Sequence, residues 1–273
     1  MDSISIDQLH SYHAIDREVF SRLVLSCFRD PGESLLVMAT WLWLEDKGYP
    51  KLMLNMTKLS NLLVNSLADE AALCLKSLES NTIPMLPNGG MPLTARVIGT
   101  NISVEMFHQN KFTAISGIKN FLNTTCARIF TDILQLILPC TSRSLVVPGF
   151  PHPLFGDVTI VPRSTDPYFP TGGIWGWTPS NNISEDDRTM FLTFSRGFPV
   201  TAEEVTELFT RMCGECVVRV QMQENVPSSE QPLFARMVLR SVTDVDRILN
   251  GRRIAKFRIN GKHIWARKYE RRE

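Results

Sequence analysis

The chain has 273 residues, of which 44% are hydrophobic and 21% charged, with a formal net charge of +1. That is the composition of a folded protein with a sizeable core and room for one or two domains at about 100–200 residues each. It excludes a disordered polyelectrolyte. The charge is unevenly placed, because residues 252–273 carry nine Lys/Arg against two Glu, while the other 251 residues carry 20 basic and 26 acidic groups. A basic end on a slightly acidic chain is read either as a solvated tail or as the footprint of a polyanion partner.

The N-terminal residues, Met1-Asp2-Ser3-Ile4-Ser5, lack the basic-then-apolar pattern of a secretory signal. The longest largely apolar stretch, Leu35 to Leu44, is far shorter than the roughly 20 residues a membrane span needs. The expectation is therefore an intracellular protein of nucleus or cytoplasm, with reduced thiols and no membrane contact. The cysteines at 27, 74, 126, 140, 213 and 216 mostly sit among apolar neighbours, where Cys behaves as a small hydrophobe. Cys213 and Cys216 form a lone C-x-x-C, which without a second pair or a nearby His does not complete a zinc site.

Residues 14–80 read as successive helices. Ile15, Val19, Leu23 and Cys27 recur at helical spacing. Asp30, Pro31 and Glu33 mark the next start as cap, first helical position and dipole-matched acid. The run Leu35 to Leu44, including Trp41 and Trp43, is apolar on all sides and predicts a helix at the centre of its domain. Gly48 and Pro50 end it. Two shorter helices are predicted near 51–64 and 67–79, with Ser66 and Asp69 as a cap-like start. Residues 81–93 read as a Pro/Gly loop. A long helical pattern then runs from about 113 to 137 and stops at Pro139. No clear repeat period is present, so 1–140 is expected to form one all-helical domain.

Residues 141–187 hold seven of the sixteen prolines and five of the fifteen glycines, together with Phe150, Phe155, Tyr168, Phe169, Trp175 and Trp177. This predicts an irregular joining segment that packs its aromatics onto a domain rather than a free tether.

From residue 188 the pattern is strand, helix, strand, strand, helix, strand. Met190–Phe194 alternates as a strand. Thr201 and Glu204 form a capping box for a helix ending at Gly214. Residues 216–222 and 233–239 are the next two strands. Ser241 and Asp244 start a second helix. Asn260-Gly261 is a strong turn pair, and 262–269 is the last strand.

This order, with Phe191 in Met190-Phe191-Leu192-Thr193-Phe194-Ser195 and Phe234 in Pro232-Leu233-Phe234-Ala235-Arg236-Met237-Val238-Leu239, resembles an RNA recognition motif. The resemblance covers about residues 188–271. In the family's third-strand pattern, Phe234 matches the third position, Ala235 the fourth and Met237 the sixth. Pro232, Leu233, Arg236 and Leu239 depart from it, as does Ser195 on the first strand. The whole chain is also similar to an uncharacterised group of plant proteins that join a helical N-terminal region to a divergent RNA recognition motif. The stretches behind that likeness include Trp175-Gly176-Trp177, residues 188–199 and residues 260–269. The resemblance implies an α+β protein, with an all-helical N-terminal domain followed by a ferredoxin-like β-α-β-β-α-β domain over 188–273.

Strand alternation predicts which side chains the open face carries. Met190, Leu192 and Phe194 point inward, so Phe191 and Thr193 point out. By the same rule Phe234, Arg236 and Val238 point out on the third strand, and His263, Trp265, Arg267 and Tyr269 on the last. Phe191, Phe234 and Trp265 are the candidates for contact with unpaired bases or sugars. Arg236, Arg267, Lys268 and the basic end are the candidates for phosphate contact.

No catalytic reading competes. The five His are scattered, no phosphate-cradling Gly loop precedes a helix, and no Gly-x-Ser-x-Gly elbow occurs. A non-enzymatic protein without metal or cofactor is expected. Two readings stand side by side: single-stranded RNA binding through the sheet, or a protein-interaction adaptor whose sheet is covered and whose helical domain carries the partner.

Overall fold

The computed structural model describes residues 5–49, 51–80, 87–139, 145–160, 183–224 and 231–271. The chain is α+β, with helices over the N-terminal part and a five-stranded antiparallel sheet at the C-terminus. It divides into two compact units, Met1–His108 with Ala114–Asn182, and Gln109–Thr113 with Ile183–Glu273.

The first unit begins with α1 (Ile6–Tyr12) and α2 (Ala14–Ser21), followed by a π-type turn, Arg22–Ser26. Next come α3 (Pro31–Asp46), α4 (Leu52–Thr57) and α5 (Asn61–Glu79). After them lie α6 (Pro92–Ile98), α7 (Val104–Gln109), α8 (Lys111–Phe121), the short α9 (Ala127–Ile129) and α10 (Thr131–Ile137), with Gln109–Thr113, at the α7–α8 junction, counted in the second unit. Helix α3 starts where the sequence predicts, with the Asp30 side chain accepting from the Glu33 N–H and Pro31 in the first turn. Its residues from Leu35 to Leu44 are all buried, and Trp41 and Trp43 are core side chains. Gly117 is required by this packing, since a Cβ there would lie 2.2 Å from Trp43 Cδ1.

Several helix boundaries differ from the sequence expectation. Helix α5 starts from Ser60, whose hydroxyl accepts from the Leu63 N–H, and Ser66 lies inside it with its hydroxyl donating to the Leu62 carbonyl. The stretch 81–93 is not all loop, because α6 begins at Pro92. Its cap is remote: Glu70 on α5 accepts from the Leu93 N–H at 2.8 Å, the Thr94 N–H at 2.8 Å and the Thr94 hydroxyl at 2.7 Å. The pattern over 113–137 is broken by a π-type turn at Leu122–Cys126 and again at Phe130. Here Thr124 and Thr131 donate their hydroxyls to the carbonyls of Asn120 and Ala127. Such back-bonding bends and interrupts helices.

Within the predicted joining segment, Leu145, Val147, Phe155, Val158 and Ile160 are buried in the core of the helical unit. Four of the aromatics expected to pack onto a domain, Tyr168, Phe169, Trp175 and Trp177, lie outside the described residues.

The second unit runs β1 (Thr189–Phe194), α11 (Ala202–Cys213), β2 (Val217–Met222), β3 (Phe234–Leu239), α12 (Val242–Leu249), β4 (Ile254–Ile259) and β5 (Lys262–Lys268). The strand order is β2-β3-β1-β5-β4. Strand β4 is an addition to the sequence expectation. It pairs antiparallel with β5 through Asn260 and Gly261, both at positive φ (47° and 81°). Two residues with that geometry form the tight hairpin that an Asn-Gly pair favours.

Both helices pack on one face of the sheet. Val205, Leu208, Phe209, Val245, Ile248 and Leu249 share a buried cluster with Met190, Leu192, Ala235, Met237, Ala255, Ile264 and Ala266. The capping box of α11 is formed as predicted. Glu204 of that box also accepts from Lys262 Nζ at 2.8 Å and Asn260 Nδ2 at 3.0 Å, which ties α11 to the β4–β5 hairpin. The bonds from Lys262, Asn260 and the Thr201 backbone hold its carboxyl at about 2. Asp246 on α12 accepts from the Phe112 N–H at 3.0 Å, the Thr113 N–H at 2.8 Å and the Thr113 hydroxyl at 2.6 Å. Burial lifts the Asp246 carboxyl above its ordinary range, and these bonds oppose the lift.

Candidate functional site

The face of the sheet opposite α11 and α12 is assembled by register. Phe191 lies between Arg236 on β3 and Arg267 on β5. Thr193 lies between Phe234 and Trp265. Outside these, Gln221 stands beside Arg236, Ile254 beside Arg267, Lys256 beside Trp265 and Arg258 beside His263. The outward strand positions therefore hold three large aromatics and five Lys/Arg (219, 236, 256, 258 and 267) with no Asp or Glu among them.

The aromatic rings meet each other and the cations. Phe191 and Phe234 stack with centroids 5.4 Å apart and planes 23° off parallel. The Arg267 guanidinium lies 4.7 Å from the Phe191 centroid. Lys256 Nζ lies 5.4 Å from the Trp265 centroid, and the Arg236 guanidinium 4.8 Å from that of Tyr269. Cation–π contacts at exposed sites are worth about 0.5–1 kcal/mol. They pre-position both kinds of group without locking them.

Phe191, Phe234 and Trp265 are half-buried, while Arg236, Lys256 and Arg258 are exposed. Five of the six residues predicted for this site, Phe191, Phe234, Arg236, Trp265 and Arg267, are thus brought onto one face. Lys268 is not. Its register partner is Met190, a core residue, so it belongs to the helix-packed side, and its Nζ donates to the Asp186 carbonyl. Val238 does point to the open face by register but is only 2% exposed. At that end residues 185–188 fold against the strands: the Thr189 hydroxyl donates to the Glu185 carbonyl at 2.7 Å, Arg188 donates to the Leu239 carbonyl at 2.7 Å, and Glu185 pairs with Arg219. Among the described residues, the face is closed there and left uncovered from Phe191 towards Trp265.

No family model, curated protein or solved structure matches this chain. What the face can do rests on its own chemistry.

Sequence reasoning missed Lys256 and Arg258, because it did not assign their strand. A signal was present: Ile254-Ala255-Lys256-Phe257-Arg258-Ile259 alternates, and a two-residue Asn-Gly turn demands a strand on each side.

Elsewhere, Cys216 is buried and donates its thiol to the Phe209 carbonyl at 3.6 Å, and burial pushes it up to about 11. Among the described residues, no group of three or more His, Cys, Asp or Glu is placed to hold a metal ion. No helix among them is long and apolar enough to cross a membrane.

Proposed function

We propose that the C-terminal unit is a divergent RNA recognition motif with an added edge strand, and that its open face binds single-stranded RNA without catalysis. The observation that carries this reading is one surface on which Phe191, Phe234 and Trp265 lie among Arg236, Lys256, Arg258 and Arg267, with no carboxylate at the outward strand positions. Aromatic faces stack unpaired bases whatever their identity, at about 1–3 kcal/mol per base. Guanidinium and ammonium groups neutralise the phosphates between them.

The division of labour follows from the geometry. Trp265 and Phe234 flank the small Thr193, with Lys256 over the Trp265 ring and Phe234 stacked against Phe191. Phe191 carries Arg267 on its face, so a base reaching it stacks on the guanidinium plane or displaces it. Crosslinking to RNA in cells, with Phe191→Ala and Phe234→Ala together as control, tests this. Crosslinking that depends on both rings supports it, and equal crosslinking of wild type and variant contradicts it.

A second reading, a protein-interaction adaptor whose helical unit carries the partner, is favoured by one observation. Phe28 is 84% exposed, with its backbone at a φ of 54°. A bulky residue held in the left-handed region carries a backbone cost, and such strain clusters at functional sites. Loss of a partner protein on Phe28→Ser, with RNA affinity unchanged, would assign that role to the helical unit.

A further inference from the structure

Part of the basic end of the chain is built into the sheet. Of its Lys/Arg, Lys256 and Arg258 are built into β4, the outermost strand beside β5, and Arg267 into β5 itself. Lys262 is committed to Glu204 and Lys268 to the Asp186 carbonyl. Lys256 and Arg258 are exposed and project from the open face in register with Trp265 and His263. Alternate residues of a strand stand about 7 Å apart, so the two cations line an edge rather than meet at one point.

We propose that β4 is a phosphate-binding edge of the same site, along which the backbone of a single-stranded RNA runs while its bases turn inward over Trp265 and the rings beyond it. This rests on the reading of the open face as an RNA site and extends it to a strand that sequence alone did not assign. Lys256 has a specific part. Its ammonium covers the Trp265 ring before binding. A base stacking on that ring displaces it outward, where the phosphate of the same nucleotide lies. Lys256 and Trp265 are therefore coupled binding residues.

Charged residues on an edge strand also protect it from pairing with another sheet, and the test separates the two roles. A fluorescein-labelled single-stranded RNA of mixed sequence is titrated with the full chain over a salt series, for wild type, for Lys256→Gln with Arg258→Gln, and for a control of equal charge change on the helices, Arg211→Gln with Arg247→Gln. Both edge side chains are exposed, so melting curves should be unchanged. The expected result is weaker binding by the edge variant, with the slope of log affinity against log salt shallower by about 1.4, at about 0.7 for each single-strand phosphate that is no longer neutralised. The control should keep the wild-type slope. An edge variant that matches the control in affinity and slope overturns the proposal, whether or not it aggregates, and aggregation would then assign the two cations to edge protection. If wild type itself binds no RNA, the reading of the whole face falls. Ring-dependent binding with an unaltered edge slope overturns only the part played by β4.

Discussion

Arg267 faces Phe191 directly across the β1–β5 register and lays its guanidinium 4.7 Å from the ring centroid. One residue thus covers the face of the other's ring. On the proposed reading Phe191 and Arg267 form a unit, the cation offering both a stacking plane and a phosphate contact. Removing either should alter what the other does.

Phe191→Ala should weaken RNA binding by about 1–3 kcal/mol and leave the fold intact, because Phe191 is half-buried and lies outside the buried cluster of its unit. Arg267→Ala should also weaken binding. The double variant should lose less than the sum, since contacting residues are coupled. Binding titrations paired with thermal melts measure both. Additive losses would separate the two residues.

The helical unit makes a packing prediction. Gly117→Ala places a methyl 2.2 Å from Trp43 Cδ1, and overpacking of this kind costs about 1–3 kcal/mol. Trp43→Ala should cost more, about 3–5 kcal/mol from loss of a fully buried ring. Denaturant unfolding of the full chain, followed by a probe in this unit, reads both.

The remote cap of α6 is testable in the same way. Glu70→Ala leaves the Leu93 and Thr94 N–H groups and the Thr94 hydroxyl without their acceptor. Thr94 is buried, so the expected loss is about 1–3 kcal/mol. Glu70→Gln keeps an acceptor oxygen and should recover part of it.

Glu204 gives a pH prediction. Its carboxyl is lowered from 4.5 to about 2 by bonds from Lys262, Asn260 and the Thr201 backbone. A depressed carboxylate adds stability that is complete above its unfolded value and fades as pH falls through the folded one. The contribution of the α11–hairpin tie should therefore be full above about pH 5 and lost towards pH 2. Glu204→Gln should remove that part of the acid dependence between those limits. Melting temperatures of both proteins across the range check it.

The elements legible in the sequence were those whose signals are local. Asp30 with Pro31, the Thr201 box and the Ser241 cap each act within one turn, and all three start helices as read. The illegible ones depend on distant partners. Helix α6 is capped by Glu70 from another helix, a contact that no window of sequence contains. The breaks after Phe121 and at Phe130 interrupt a helical spacing of apolar residues that resumes beyond Asn123-Thr124-Thr125. In the candidate site, period-two alternation brought Phe191, Phe234, Arg236, Trp265 and Arg267 together correctly. The same rule sends Lys268 to the other face, because neighbours along a strand cannot share one.

The most direct test is equilibrium binding of purified full-length protein to labelled single-stranded RNA over a salt series, with wild type beside Phe191→Ala/Phe234→Ala. The prediction is wild-type affinity that falls linearly with the logarithm of salt. The variant should bind more weakly, with its melting curve and salt slope retained, because the rings supply stacking and the Lys/Arg supply the slope. A wild type that does not bind, or a folded variant that binds as tightly as wild type, would contradict it.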